Sequence, residues 1–169
     1  LLINIVKGLN EMIYRIADKN DIDELVRMRI AYINEDYEEI SEEQILQIQK
    51  ALPDYFENHT GVDFFAFVAD DSGKMVSCAM LVVTEKPANP SFITGKTGTV
   101  LNVYTEKSYR RKGIATIILN NLIEYSKAIG LDFIELKATK EGYPLYKKLG
   151  FEEQHSTYTP MKFNLSNQT

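Results

Sequence analysis

The residues best suited to chemistry lie between Val103 and Leu119, in VYTEKSYRRKGIATIIL. A strand pattern passes into a helix pattern, and the joint holds Arg110, Arg111 and Lys112 ahead of Gly113. The first backbone N–H groups of a helix lack intrahelical partners and carry partial positive charge. A loop of N–H groups leading into them forms a phosphate cradle. Gly113 has no Cβ and lets an anion approach the backbone; Ala115, two residues on, is the next smallest choice. Three basic side chains oppose the helix dipole unless an anion of more than one charge sits among them. A solvated basic turn is the alternative, because one Gly-containing turn is a weak signal by itself.

Two other phosphate motifs fail. No G-x-G-x-x-G is present. TGKTG (Thr94–Gly98) resembles the end of a P-loop, but that motif needs Gly where this chain has Pro90, and the segment leads into a strand. It reads as loop.

NVYTEKSYRRKGIA resembles the acyl-CoA-binding motif of the GCN5-related N-acetyltransferases, Q/R-x-x-G-x-G/A, with Arg110, Gly113 and Ala115 at its three defined positions. LYKKLGF (Leu145–Phe151) is similar to the family's second marker, a short helix with Tyr that ends in Gly-Phe. The two in register, with a strand pattern between them, are a strong match. The resemblance implies that the pyrophosphate of acetyl-CoA sits on Arg110, Arg111, Lys112, Gly113, Ile114, Ala115 and Thr116. The pantetheine arm is implied to pair with Val103, Tyr104 and Thr105 like an added strand. A backbone N–H near Val103 would hold the developing oxyanion.

The same resemblance makes Tyr146 the proton donor to the leaving thiolate and a neighbour of the cofactor. Its alternative is a core aromatic. Glu135 matches the position where some relatives carry a base; its alternative is an outward residue neutralised by Lys137. Relatives also pass protons through ordered waters, one of which Asn102 could orient. Where relatives often bind pantetheine with Asn, this chain offers Thr139 or Lys140, which puts that bond in doubt. The implied activity is direct transfer of acetyl from acetyl-CoA to a primary amine of a small molecule or peptide. No covalent enzyme intermediate is expected. A non-catalytic acyl-CoA sensor on the same fold is the alternative reading.

These residues need a scaffold. IYRIA alternates as a strand, and residues 18–36 carry helical spacing capped by Asn20 or Asp21. Ser41 and an acid pair open a second helix, which Pro53 is expected to interrupt. VDFFAFVAD and MVSCAMLVVTE form a hairpin about Ser72–Gly73. Residues 86–98 read as loop, TVLNVYT as a strand, and Gly113–Gly130 as a helix with a Gly stop. LDFIELKA is a strand, YPLYKKLG a short helix, and FEEQHSTYTPMKF a closing strand. The order β-α-α-β-β-β-α-β-α-β predicts a single α/β (α+β) domain, a mixed central sheet flanked by helices, over residues 12–165. The native start is expected at Met12, with residues 1–11 an extension or cloning remnant.

The formal charge of −5 argues against broad nucleic-acid binding. No apolar run approaches the roughly 20 residues of a membrane span. One cysteine, Cys78, rules out an intrachain disulfide and fits a reducing, cytoplasmic setting. It reads as a buried small hydrophobe. His59 and His155 lack ligand spacing, so no metal is expected. Asn34–Glu43 holds six acids. They are either a solvated helix start or a lure for a cationic acceptor that Glu38 would help bind. Tyr32, Tyr37 and Phe64 either wall the same pocket or belong to the core. Dimers are common among relatives, which leaves a homodimer open for this chain.

Overall fold

Alternation along the central strands builds the molecule. The computed structural model describes residues 12–155 and 157–165; the expected extension over residues 1–11 lies outside them. Five strands, β1 (Met12–Ile16), β2 (Phe64–Asp71), β3 (Lys74–Glu85), β4 (Lys96–Thr105) and β5 (Phe133–Glu135), form one sheet in the order 1-2-3-4-5. The first four pair antiparallel, and β5 pairs parallel with β4. A parallel partner needs a long crossover, supplied by α3 (Ile114–Ala128).

Successive strand side chains point to opposite faces. Phe64, Ala66 and Val68 of β2 join Cys78 and Met80 of β3 in one core with Leu25, Met28 and Phe56. Those last three come from α1 (Ile22–Asp36) and α2 (Glu42–His59), which cover that face. Phe65 and Phe67 point the other way and meet Tyr125 of α3 at 5.0 and 5.5 Å between ring centres. Both faces are covered, which explains the nearly continuous apolar run of β2 and β3.

The turn at Ser72–Gly73 forms as expected, both residues at positive φ (57° and 89°). Ser41 opens α2 with a capping box to Gln44. Pro53 does not divide the helix. It only leaves the Gln49 carbonyl without its usual donor, while Phe56, 1% exposed, anchors the following turn in the core. Lys96–Gly98 belong to β4, not to the preceding loop, because β5 pairs there.

The described chain divides into two compact units, one ending at Lys137 and one starting at Ala138. The second contains α4 (Tyr143–Lys148). No strand forms among the described residues of 151–163, contrary to expectation. Glu152, Glu153 and Gln154 break the apolar alternation, and Pro160 removes a ladder donor. No helix among the described residues is long and apolar enough to cross a membrane.

Arg27 of α1 ties helix to sheet. It donates to Glu24, to Glu106 just past β4 and to the Met75 carbonyl, while Lys74 takes the other Glu106 oxygen. The Arg27 hydrogen bond holds Glu24 below its usual range. Burial pushes Glu106 up, but hydrogen bonds from Lys74 and Arg27 prevail and lower it. Depressed carboxylates stabilise the fold above their unfolded value of 4.5 and lose that contribution as pH falls through the folded values. Arg27→Met should therefore cost about 2 kcal/mol in urea unfolding at pH 7. The difference from the parent should shrink below about pH 4.

Candidate functional site

β4 does not run straight. Cys78 pairs with Tyr104 and Met80 with Leu101, so Asn102 and Val103 together face Ala79. One extra residue is inserted, which bends the strand and disrupts the ladder locally. Asn102 takes the strain at φ 51°, in the left-handed region that Asn tolerates better than other side chains.

Its side chain is buried at 4% exposure, and both of its polar atoms have a partner. Asn102 Nδ2 donates to Cys78 Sγ at 3.2 Å, and Asn102 Oδ1 accepts from Arg29 at 3.2 Å. The Cys78 thiol lies 3.6 Å from the Asn102 carbonyl. Burial pushes that thiol up to about 12, so Cys78 stays protonated and is a packing group, as its sequence context suggests. Asn102 therefore fixes the bulge.

Beside the bulge the sheet opens. β5 pairs with β4 only across Thr97–Thr99 and Phe133–Glu135. From Val100 to Thr105 no strand of the described residues pairs with β4 on that side. Val103, Tyr104 and Thr105 thus border an edge that an extended ligand can join. Glu135 is half-buried at the last residue of β5, opposite Thr99, where pairing ends.

The basic turn follows. Arg111 (φ 63°) and Gly113 (φ 79°) both hold left-handed backbone. Gly113 is the N-cap of α3, and no side chain caps the helix. A Cβ at Gly113 would meet nothing within 4 Å, so protein packing does not demand glycine here; the backbone angle does. The N–H groups of Ile114, Ala115 and Thr116 open the helix and lack intrahelical acceptors.

Arg110 is not a loose counter-charge. It donates to the Thr105 carbonyl at 2.8 Å and to Glu35 of α1 at 2.7 Å, and its guanidinium lies 5.7 Å from the Tyr104 ring centre. It braces the turn against β4 and α1. Lys112 lies 4.9 Å from the Tyr109 ring centre. Arg111, exposed, has no carboxylate partner among the described residues.

In the second unit, Tyr146 lies half-buried on α4 with its ring 5.8 Å from Phe151. Burial pushes its phenol above 10.0, so it is neutral at ordinary pH. A Cβ on Gly142 would lie 2.8 Å from the Tyr146 ring, so glycine there sets the ring's place. The Thr139 hydroxyl accepts from the Gly142 N–H at 3.1 Å and its carbonyl accepts from Tyr143, which orders the start of α4.

A cleft of about 520 Å³ opens between α1 and α2, lined among others by Arg29, Tyr37, Glu39, Ile40 and Leu52. Tyr37 lines it, 56% exposed. Phe64 does not: it is 2% exposed in the core, because its strand position faces Phe56. Tyr32 donates to Asp36 at 2.8 Å, and burial followed by that carboxylate pushes its phenol up to about 12. Glu38 is exposed and outside the cleft lining. The acids divide among tasks. Glu35 holds Arg110, Asp36 holds Tyr32, and Glu42 and Glu43 occupy the first turn of α2. Arg29 had no signal in the sequence; only folding brings it beside Asn102. Among the described residues no group of three or more His, Cys, Asp or Glu is placed to hold a metal.

Known proteins resemble this chain in sequence and fold. Residues 25–151 match the model of the acetyltransferase (GNAT) family. The crystal structure of a predicted acetyltransferase with acetyl-CoA from Clostridium acetobutylicum is 31% identical, with TM-score 0.77 over 89% of this chain and 96% of that one. A GCN5-related N-acetyltransferase from Ralstonia eutropha is 26% identical, with TM-score 0.75 over 89% and 98%. A glucosamine 6-phosphate N-acetyltransferase of Trypanosoma brucei brucei is 28% identical over 93 residues, 54% of this chain and only 60% of that relative.

The bulge makes a direct prediction. Asn102→Leu should cost about 2–3 kcal/mol, because a branched side chain meets positive φ and the Arg29 and Cys78 bonds are lost. Asn102→Gly keeps the backbone and should cost less, although it loses the same bonds. Urea unfolding of the two variants gives the order.

Proposed function

The chain belongs to the acetyltransferase (GNAT) family and is an acyltransferase, and from that premise we propose that it moves acetyl directly from acetyl-CoA to a primary amine. One observation carries this reading above the others: the β4 bulge at Asn102 lies beside an edge that β5 leaves unpaired beyond Thr99. The pantetheine amides pair with that edge as an extra strand. The pyrophosphate rests on the turn from Arg111 to Thr116, against α3's uncapped first turn. The thioester carbonyl lies at the bulge, where the Val103 N–H stabilises its developing charge.

The acceptor amine must lose a proton before attack, since a lysine-like amine has a pKa of roughly 10. Glu135, at the point where β4 and β5 part, is the base in this reading, acting directly or through water. The amine nitrogen bonds to the carbonyl carbon and releases its second proton to solvent, the C–S bond breaks, and the electron pair goes to sulfur. Tyr146 gives its proton to that sulfur and regains one from solvent.

The direction of the tyrosine shift constrains this step. A thiol has a pKa of roughly 8.5 and an ordinary phenol roughly 10, and burial pushes this phenol higher, so it gives up its proton uphill. Donation is then concerted with C–S cleavage. Tyr146→Phe should lower kcat about 10²-fold or more while leaving acetyl-CoA affinity within about 2-fold. Unchanged CoA release in that variant removes Tyr146 from the mechanism. Gly113→Val places a branched side chain at φ 79° and over the anion cradle. It should abolish CoA binding measured by calorimetry, whereas Lys112→Ala only weakens it; equal losses would assign binding to charge and not to the backbone.

A further inference from the structure

Arg29 is the outlier among the arginines of α1 and the sheet. Arg15 pairs with Asp21 and Asp70, Arg27 with Glu24 and Glu106, and Arg110 with Glu35. Arg29 has no carboxylate within 4.0 Å among the described residues, although the chain carries more acids than bases. Its guanidinium makes one hydrogen bond, to Asn102 Oδ1, and stacks 5.7 Å from the Tyr32 ring centre. It is half-buried and lines the cleft between α1 and α2. A cation in that position leaves several guanidinium donors for a ligand.

We propose that this cleft takes the acceptor and that Arg29 reads a carboxylate on it. The proposal rests on the acetyltransferase reading above. Arg29 touches the residue that precedes Val103, so a carboxylate held there lies close to the reacting carbonyl. The nucleophilic amine and the carboxylate must therefore be near neighbours in the acceptor, as in a 2-amino carboxylic acid. The remainder of the acceptor meets Ile33, Ile40, Ile48 and Leu52, which suits an apolar side chain and not a ring of hydroxyl groups. Glu39, Gln44 and Gln47 supply the polar part of the lining. Glu39 is the carboxylate of the cleft, and it forms no ion pair with Arg29. An amino-sugar phosphate fits this arrangement poorly, because its amine and its anion stand at distant carbons.

The test uses the full chain with saturating acetyl-CoA and three acceptors: L-leucine, isoamylamine (leucine without its carboxylate) and glucosamine 6-phosphate. Leucine should exceed isoamylamine by about 10-fold or more in kcat/KM. Arg29→Gln should remove that difference by raising the KM for leucine about 10-fold more than the KM for isoamylamine, whatever common loss follows from the missing Asn102 bond. Arg29→Lys should restore part of it. Equal use of leucine and isoamylamine, preference for glucosamine 6-phosphate, or an equal loss for all acceptors in Arg29→Gln would overturn the proposal. Thermal melts without acetyl-CoA separate it from the parent reading. Leucine should raise the melting temperature of the parent chain and not of Arg29→Gln, and no shift counts against the carboxylate site. Failure of acetyl-CoA itself to bind would count against the acetyltransferase reading instead.

Discussion

One inserted residue in β4 organises the functional half of the molecule. A regular antiparallel ladder offers every second N–H to its neighbour and has none to spare at its centre. The extra residue at Asn102–Val103 breaks that rule between Cys78 and Met80. It is held in the left-handed region, which costs of order 1 kcal/mol or more for a residue with a side chain. The buried amide of Asn102 offsets that cost through Cys78 and Arg29. The bulge thus depends on a sulfur from β3 and a guanidinium from α1, and both faces of its setting are fixed before any ligand arrives.

The basic turn shows the same division between backbone and side chain. Three consecutive positive residues suggest that side-chain charge does the binding. The structure spends Arg110 otherwise, on Glu35 and the Thr105 carbonyl. What remains at the helix start is left-handed backbone at Arg111 and Gly113 and an uncapped first turn. Oriented N–H groups are fixed in place and lose no rotamer entropy on binding, whereas a flexible lysine does. An anion site built from them is preorganised, and the charged side chains tune it.

Much of this was legible from residue order. Alternation in β2 and β3, the Ser72–Gly73 turn, the Ser41 cap and the Gly130 stop are local signals, and each formed. Pro53 misled because its local penalty is outweighed by the burial of Phe56 one turn later. The closing strand misled because a strand exists only with a partner, and sequence patterns do not supply one. Residue type leaves Phe64 open between pocket wall and core, and its parity along β2 sends it into the core. Parity is readable once the pairing of β2 with β3 is known. Arg29 could not be found at all. Its significance is the missing carboxylate, and absence of a partner appears only when every neighbour is in place.

That contrast has a physical origin. A cofactor held by backbone needs glycine, a bulge and a helix start at set spacing, and such requirements write themselves into a short stretch of sequence. An acceptor held by side chains needs only that a few residues on separate helices converge. Here they come from α1, the following segment and α2, Arg29 through Leu52, and no local rule links them. The cleft's specificity is then decided by net pairing. Each acid of the 34–43 segment that finds a partner elsewhere, as Glu35 does with Arg110 and Asp36 with Tyr32, leaves the cleft less negative. With those two engaged, Arg29 is opposed in the cleft lining only by Glu39. A run of acids that looks like a lure for cations therefore folds into a site with a cation of its own to satisfy.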